Sequence, residues 1–315
     1  MRKIPIIIDC DPGVDDSYAI ALANSFKNVE IVAICAVEGN VPAVTTRYNA
    51  LCLSDTFDMK TTKVSYGAVE PLVKPYFSDP SGVHGEGGIG GIVLPTPTKV
   101  AEEKPAWDVI YEEAVLHSGE LILFAVGPLT NIAIALRKYP DLPTHLKQFV
   151  IMGGGTFGNI ESTGNTAEFN IWVDPTAAKE VFEKMDVYMV GLDASHAAYL
   201  EDNDFDNMIE ITSNPKNKQT HFLHQLSKFS KRNSFEEGCD NNIIHDALAI
   251  ASVLEKNIVE FKKCFVTVED KDVVNNGQTF IDFNHKNTNC YFATNINRNK
   301  FIQVMKKMCQ HYAKL

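Results

Sequence analysis

The chain has 315 residues, of which 45% are hydrophobic and 22% charged, so it can bury a large core and is not a disordered protein. Forty acidic residues against 29 basic ones give a formal net charge of −11. No basic cluster provides the positive face that nucleic-acid binding needs, and no apolar run is long enough for a membrane span. The composition favours an enzyme acting on a small neutral molecule, with neither nucleic acid nor a membrane as partner.

The seven cysteines are scattered, odd in number and without a Cys-x-x-Cys pair, which argues against a disulfide framework or a zinc ribbon. We expect them to be reduced and mostly buried, and the N-terminal apolar run is too short for a signal peptide. A cytoplasmic location is therefore expected. The C-terminal Ala313-Lys314-Leu315 has the form of a peroxisomal address, which leaves a peroxisomal or glycosomal location as the alternative.

Short β-branched runs alternate with amphipathic helical patterns through the first two thirds of the chain. This alternation predicts a parallel sheet covered by helices on both faces. Strands are predicted at 4–8, 31–37, 63–66, 121–125, 149–152 and 187–190. Helices are predicted between them at 17–26, 44–55, 107–117, 130–137 and 175–182.

Beyond residue 200 the pattern changes to helices followed by hairpin-like strands and a last helix. The predicted elements are helices at about 215–231 and 246–254, strands at 265–268, 279–283 and 291–294, and a helix at 298–312. Segments 67–97 and 153–174 are expected to be long loops, and no linker or internal repeat divides the chain. We therefore expect an α/β fold over residues 1–315, a single domain whose mostly parallel central β-sheet is covered by helices in a Rossmann-like arrangement.

Four aspartates, Asp9, Asp11, Asp15 and Asp16, fall within eight residues directly after the first predicted strand. Ligands bind outside the carboxyl ends of the strands in such sheets, and a helix N-cap would account for only one or two of these side chains. Like charges this close need a cation or a shared proton to offset their repulsion. Because only oxygen ligands are on offer, the expected cation is hard, Ca²⁺ or Mg²⁺.

This cluster opens an ordered set of motifs that resembles the calcium-dependent nucleoside hydrolase family, in its inosine–uridine-preferring or non-specific type. The likeness covers essentially the whole chain. The motifs are Asp9-Cys-Asp-Pro-Gly-Val-Asp-Asp16, Val37-Glu-Gly-Asn40, His84-Gly-Glu-Gly-Gly-Ile-Gly90, Gly127-Pro-Leu-Thr-Asn-Ile-Ala133, Met152-Gly-Gly-Gly155, Ala167-Glu-Phe-Asn170 with Asp174-Pro175, Gly191-Leu-Asp193 and His245-Asp246.

The resemblance implies hydrolysis of the N-glycosidic bond of a ribonucleoside to free base and ribose. It implies a Ca²⁺ held by Asp11, Asp16, the backbone carbonyl of Val126 and Asp246, with Asp11 deprotonating the Ca²⁺-bound water. His245 stands just before a metal-ligand aspartate and is the expected acid for the departing base. A ring of carboxylates would stabilise the positive charge that develops on the sugar, and would repel phosphate, which favours nucleosides over nucleotides.

The same resemblance implies a ribose site formed by carboxylates and amides. Asp15 and Asn40 would bind the ribose hydroxyls, while Glu168, Asn170 and an upstream asparagine would hold the 5′ side. For that asparagine Asn159 is our choice and Asn165 the rival. His84, beside a glycine run, is a further candidate for substrate binding, with a loop histidine bonded to a carbonyl as the alternative. A homodimer or homotetramer is expected from the family.

Base preference depends on a few positions that depart from the family pattern. The tyrosines that border the base in inosine–uridine-preferring members fall on Phe229 and Asn233 here. The purine-preferring subgroup carries tryptophan where this chain has His245, which favours the inosine–uridine or broad-specificity type.

Two alternatives of other classes remain open from the residues. A haloacid-dehalogenase-like phosphatase also begins with strand-Asp-x-Asp and uses the first aspartate as nucleophile. The second acidic pair, Asp15-Asp16, and the lack of a suitable downstream lysine argue against it. A catalytically silent ribose- or nucleoside-binding protein on this scaffold would not need both Asp11 and Asp246.

Overall fold

Nine strands form one sheet in the computed structural model, which describes residues 3–73, 84–159, 163–164, 166–236 and 242–315. The strands are β1 (Ile4–Cys10), β2 (Val29–Ala36), β3 (Lys63–Tyr66), β4 (Leu121–Ala125), β5 (Leu146–Met152), β6 (Val187–Val190), β7 (Val259–Val268), β8 (Thr279–Asp282) and β9 (Cys290–Ile296). Their order is β3-β2-β1-β4-β5-β6-β9-β7-β8. All neighbours are parallel except β7, which is antiparallel to both β9 and β8.

Helices cover both faces of this sheet, as expected for strands that are apolar on both sides. Among the described residues they are α1 (Val14–Ser25), α2 (Ala43–Thr56), α3 (Ala106–Leu116), α4 (Thr130–Lys138), α5 (Leu142–His145), α6 (Phe169–Val173), α7 (Pro175–Lys184), α8 (Leu192–Ala197), α9 (Asp202–Ile211), α10 (Lys218–Glu236), α11 (His245–Leu254) and α12 (Arg298–Ala313). A 3₁₀ turn spans Glu86–Gly88.

The core consists of two apolar clusters, one on each face of the sheet. Side chains of a strand alternate between faces, so Ile6 and Ile8 lie in one cluster with α1, while Ile7 lies in the other with α3. The six cysteines in the described ranges are buried and unpaired, as expected. No helix in these ranges is both long enough and apolar enough to cross a bilayer.

The predicted fold class is confirmed, but three features differ from the predicted elements. Helices α5, α8 and α9 were not predicted, and the expected loop 153–174 contains the short helix α6. Strand β7 begins at Val259 instead of residue 265. The sequence did not indicate its first half, Val-Glu-Phe-Lys-Lys, because these residues are largely exposed and lack a strand-like apolar run. These misses concern short or half-exposed elements, whose sequence signal is weak.

The strand order reverses direction between β1 and β4. In an open parallel sheet, the loops after the carboxyl ends of strands on the two sides of such a point diverge and leave a crevice. The loops after β1, β2, β4 and β5 border this crevice here, and they carry most of the residues singled out from the sequence.

Candidate active site

Asp16 closes the turn between β1 and α1. Its Oδ1 accepts a hydrogen bond from the Asp11 N–H at 3.2 Å, and its Oδ2 accepts one from the Gly13 N–H at 2.9 Å. A carboxylate in the first turn of a helix also interacts favourably with the helix dipole. Asp16 is thus a capping residue, and its Oδ2 also accepts a hydrogen bond from Asn40 Nδ2 at 3.4 Å, whereas its Oδ1 retains a lone pair for a further partner.

Asp11 lies in a slot between two glycines that follow other strands. Its Oδ2 accepts a hydrogen bond from the Asn40 N–H at 2.7 Å. A Cβ at Gly39 would lie 2.1 Å from Oδ2, and one at Gly127 would lie 2.5 Å from Oδ1, so neither position has room for a side chain. Oδ1 is buried and has no hydrogen-bond partner among the described residues. Buried polar atoms in native proteins nearly always have a partner, so this oxygen indicates a site for a water or an ion.

The carboxyl groups of this cluster have strongly perturbed acidities. Burial raises the pKa of Asp15 to about 7 and that of Asp16 to about 6. Burial, followed by the negative charge of Asp16, raises the pKa of Asp11 and of Asp246 well above the ordinary value. Burial without a compensating positive charge disfavours ionisation, so these carboxyl groups need a nearby positive charge in order to be ionised together.

A hard divalent cation fits this donor set. The oxygens available are those of Asp11, Asp16 and Asp246 and the Val126 carbonyl, which accepts a hydrogen bond from Asn170 Nδ2 at 3.0 Å and retains one lone pair. Within the described ranges, no three His, Cys, Asp or Glu side chains are arranged to chelate an ion by themselves. A cation here would therefore depend on main-chain and substrate oxygens as well as on carboxylates.

Glu168 and Asn170 organise the loop after β5. Both oxygens of Glu168 accept main-chain N–H bonds, from Asn170 at 3.0 Å, from Gly154 at 2.9 Å and from Ile171 at 3.2 Å, and burial raises its pKa to about 7. Asn159 is anchored beside them, because its Oδ1 accepts from the Phe169 N–H at 3.0 Å. The rival Asn165 lies outside the described residues.

His84 lies on the other side of the β1–α1 turn. Its Nδ1 accepts a hydrogen bond from the Val14 N–H at 3.1 Å, and burial lowers its pKa to about 4. The ring of Phe229 from α10 packs on the glycine loop that follows His84, because a Cβ at Gly85 or Gly90 would lie within 3 Å of that ring. The side chain of Asn233 lies outside the described residues.

His245 begins α11, which packs along α1. Its N–H donates to Asp15 Oδ2 at 2.9 Å, and its Nδ1 lies 2.8 Å from Ser195 Oγ. Burial, and then the charges of His196 and His84, lower the pKa of His245 to about 3. The imidazole is therefore neutral near pH 7.

The structure brings those predicted residues that it describes together at one crevice, except for Asp9. Direct hydrogen bonds link Asp11 with Asn40 and Asp16, Asp15 with His245, Val126 with Asn170, and Asn170 with Glu168. Asp9, the first of the four clustered aspartates, instead accepts a hydrogen bond from Asn131 Nδ2 at 2.8 Å, and burial raises its pKa to about 8. Burial without a compensating positive charge favours the neutral form of this carboxyl group.

Two residues of the site were given no role from the sequence. Asn131 also accepts the Ala68 N–H at 2.8 Å through its Oδ1, and so connects β1 to the loop after β3. It lies within the Gly127–Ala133 motif, so a signal was present. Ser195 lies under His245, and no spacing or composition in the sequence indicates it.

Comparisons with known proteins agree with this geometry. The model of the inosine-uridine preferring nucleoside hydrolase family matches residues 6–303. The non-specific ribonucleoside hydrolase RihC of Klebsiella pneumoniae subsp. pneumoniae is 35% identical over 282 residues, 89% of this chain and 88% of that protein. The pyrimidine-specific ribonucleoside hydrolase RihA of Salmonella paratyphi C is 31% identical over 98% of this chain and 99% of its own length.

Among solved structures, the purine-preferring ribonucleoside hydrolase from Gardnerella vaginalis superposes with a TM-score of 0.88 at 27% identity. The match covers 98% of this chain and 99% of that one. The resemblance inferred from the ordered motifs is confirmed, and with it the class of enzyme. The chain belongs to the inosine-uridine preferring nucleoside hydrolase family and is a hydrolase of the N-glycosidic bond of ribonucleosides.

Proposed function

We propose that this enzyme hydrolyses ribonucleosides of both base classes with a Ca²⁺ held by Asp11, Asp16, Asp246 and the Val126 carbonyl. The observation that carries the proposal is the buried Asp11 Oδ1, which lacks a partner among the described residues and lies against Gly127. Calcium is favoured over softer ions because every candidate ligand is an oxygen. When bound, the cation would lower the pKa of the attacking water and attract the ribose diol.

Asp11 acts as the base in this proposal. It takes a proton from the attacking water, whose oxygen bonds to C1′ while the C1′–N bond breaks and its electron pair goes to the base. The surrounding carboxylates stabilise the positive charge on the ribosyl group in the transition state. His245 assists departure of the base. The released base takes up one proton, which balances the proton that Asp11 took from the water.

The remaining residues orient the sugar. Asp15 and Asn40 bind the ribose hydroxyls, with His84 nearby, where its Nδ1 accepts from the Val14 N–H. Glu168, Asn170 and Asn159 hold the 5′ side, on oxygens and amides that main-chain bonds already fix in place. Positioning of this kind contributes to catalysis because a fixed group loses little freedom in the reaction.

The proposed breadth of base specificity has two supports. The relatives include RihC, described as non-specific, and RihA, described as pyrimidine-specific. His245 is a hydrogen-bonding group that can serve either class of base, whereas tryptophan at this position would favour purines by stacking.

Base release from inosine, uridine, adenosine and cytidine, with and without a calcium chelator, tests this proposal. We expect turnover of a purine and a pyrimidine nucleoside, loss of turnover on chelation, and recovery with Ca²⁺ but not with Zn²⁺. Turnover that survives exhaustive chelation would refute the metal. Calcium binding without turnover of any nucleoside would instead indicate a silent binding protein.

Two further expectations stay predictions. A homodimer or homotetramer is expected from the family, and light scattering of the purified protein would show it. A cytoplasmic location is expected, with a peroxisomal or glycosomal one as the alternative. Deletion of Leu315 would redistribute a fluorescent fusion only in the second case.

A further inference from the structure

Ser195 is fully buried in α8, the short helix that follows β6, so it cannot touch a substrate directly. Its N–H donates to the Gly191 carbonyl at 3.1 Å, which holds the residue to the end of β6. Its Oγ lies 2.8 Å from Nδ1 of His245, across 50 residues of sequence. Among the described residues, this hydroxyl is the polar partner of the His245 ring. His196 contacts the same ring by packing, with centroids 5.9 Å apart.

The direction of this hydrogen bond decides what His245 can do. Serine carries one hydroxyl proton, and the two acceptors within reach are His245 Nδ1 at 2.8 Å and the Leu192 carbonyl at 3.3 Å. Hydrogen bonds between a hydroxyl and a carbonyl usually measure about 2.5–3.0 Å, so the second contact is long. The hydroxyl proton of Ser195 is therefore better placed in a hydrogen bond to Nδ1 of His245 than in one to the Leu192 carbonyl.

We propose that Ser195 is a positioning residue that donates its hydroxyl proton to Nδ1 of His245 and so holds the neutral imidazole with its own proton on Nε2. A neutral imidazole has one N–H, and a donor at one nitrogen leaves the proton on the other. His245 then assists the departing base as a hydrogen-bond donor. As the C1′–N bond breaks and its electron pair moves to the base, the Nε2–H stabilises the developing negative charge.

His84 provides an internal comparison. Its Nδ1 accepts from the Val14 main-chain N–H, which can only donate, so its proton also lies on Nε2. The two histidines of the crevice are thus held in the same tautomer by two different donors. Removing a main-chain N–H requires proline, which also fixes the backbone, whereas the Ser195 hydroxyl is removed by the small change Ser195→Ala. Ser195 is therefore the position at which the proposal is tested.

The first test reads the tautomer and needs no activity. Nitrogen-15 spectra of histidine-labelled protein, with His245 assigned by comparison with His245→Asn, should show Nε2 as the protonated nitrogen and Nδ1 as a hydrogen-bonded acceptor. Ser195→Ala should remove the hydrogen-bond shift at Nδ1. A proton on Nδ1 of His245 in the unsubstituted protein would overturn the proposal.

The second test rests on the proposed function and reads the leaving group. Ser195→Ala should lower kcat for uridine and inosine by on the order of tenfold to hundredfold, with KM changed by less than about threefold. For p-nitrophenyl riboside, whose leaving group needs little assistance, kcat should change by less than about threefold. Ser195→Thr, which keeps the hydroxyl, should restore most of the loss.

Ser65→Ala is the matched control, because Ser65 is also fully buried and its Oγ donates to the Lys104 carbonyl at 2.7 Å, away from the crevice. It should leave both substrates unaffected. Equal losses on nucleosides and on the aryl riboside with Ser195→Ala would show a merely structural role and refute the positioning role. If the protein turns over no nucleoside, the proposed function fails while the tautomer experiment still decides the role of Ser195.

Discussion

On the sugar side of the crevice, Asp16 and Glu168 accept hydrogen bonds from main-chain N–H groups that lie within 14 residues of them in the sequence. Asp16 is held by Asp11 and Gly13, and Glu168 by Asn170 and Gly154. The two histidines of the crevice, by contrast, are held across 70 residues in one case and 50 in the other. Local main-chain bonds make Asp16 and Glu168 independent of distant packing. The two histidines, and Asp15 through its bond to the His245 N–H, depend instead on how helices and loops meet.

The largest effect should come from the sugar side. Asp11→Ala should lower kcat for every nucleoside by roughly 10³-fold or more, because it removes the base and a cation ligand together. The fold should survive, since the change deletes a buried carboxyl and its repulsion with Asp16. Steady-state kinetics and thermal unfolding would check both.

Asp9→Asn is the matched control for that experiment. Asp9 is buried in β1, two residues before Asp11, but burial favours its neutral form and it is bonded to Asn131, so an amide of the same shape should keep kcat within about tenfold. Equal losses of kcat in Asp11→Ala and Asp9→Asn would contradict the assignment of Asp11 as the base.

On the base side, His245→Ala should lower kcat for inosine and uridine by about 10²-fold and spare p-nitrophenyl riboside. His145→Ala, just before the amino end of β5 and so away from the carboxyl ends of the strands that border the crevice, should change neither. The measurement is kcat for each leaving group at pH 7. A uniform loss across leaving groups would remove His245 from the departure of the base.

The effect on stability of the contact between Phe229 and the glycine loop can be measured separately from the effect of backbone strain. Gly90 and Gly87 have almost the same φ, 69° and 68°, but a Cβ at Gly90 would lie 2.5 Å from Phe229 Cγ, whereas no described atom lies within 4 Å at Gly87. Gly90→Ala should therefore destabilise the protein by about 1–3 kcal/mol more than Gly87→Ala, and raise KM several-fold. Chemical denaturation and kinetics would show the difference, and similar values for both variants would exclude the Phe229 contact as the cause.

The smallest expected effect is the change with pH in the stability of the metal-free protein. The folded-state pKa values of Asp15 and Asp16, about 7 and about 6, lie above the ordinary value of 3.8. Between about pH 4 and 7 the folded state binds more protons than the unfolded state, so the contribution of these groups to stability falls as pH rises through that window. Thermal unfolding in chelator should show this fall.

Added Ca²⁺ should then raise Tm more at pH 8 than at pH 5, because Asp16 must lose its proton to bind it. A calcium effect of equal size at both values would mean that Asp16 is not a ligand of the cation.

The contrast between the two sides also explains what the sequence could predict. The aspartates Asp11, Asp15 and Asp16 and their place after β1 follow from one short motif beside an apolar strand. The parallel sheet follows from the alternation of elements. Ser195 and the contact of Phe229 with Gly90 do not, because they depend on how α8 and α10 approach distant loops, and a hydroxyl or a phenyl ring has no characteristic spacing that would indicate such a partner.

Asn170 has a consequence for how the sugar site is prepared. Its Nδ2 donates to the Val126 carbonyl at 3.0 Å and to the Met152 carbonyl at 3.1 Å, and so ties the ends of two adjacent strands, β4 and β5, to each other. A primary amide has two such protons, whereas aspartate has none and serine one. The loss of freedom needed to order this part of the crevice therefore occurs when the chain folds. A nucleoside that enters finds the sugar half already rigid, and its binding energy remains available for the half that recognises the base.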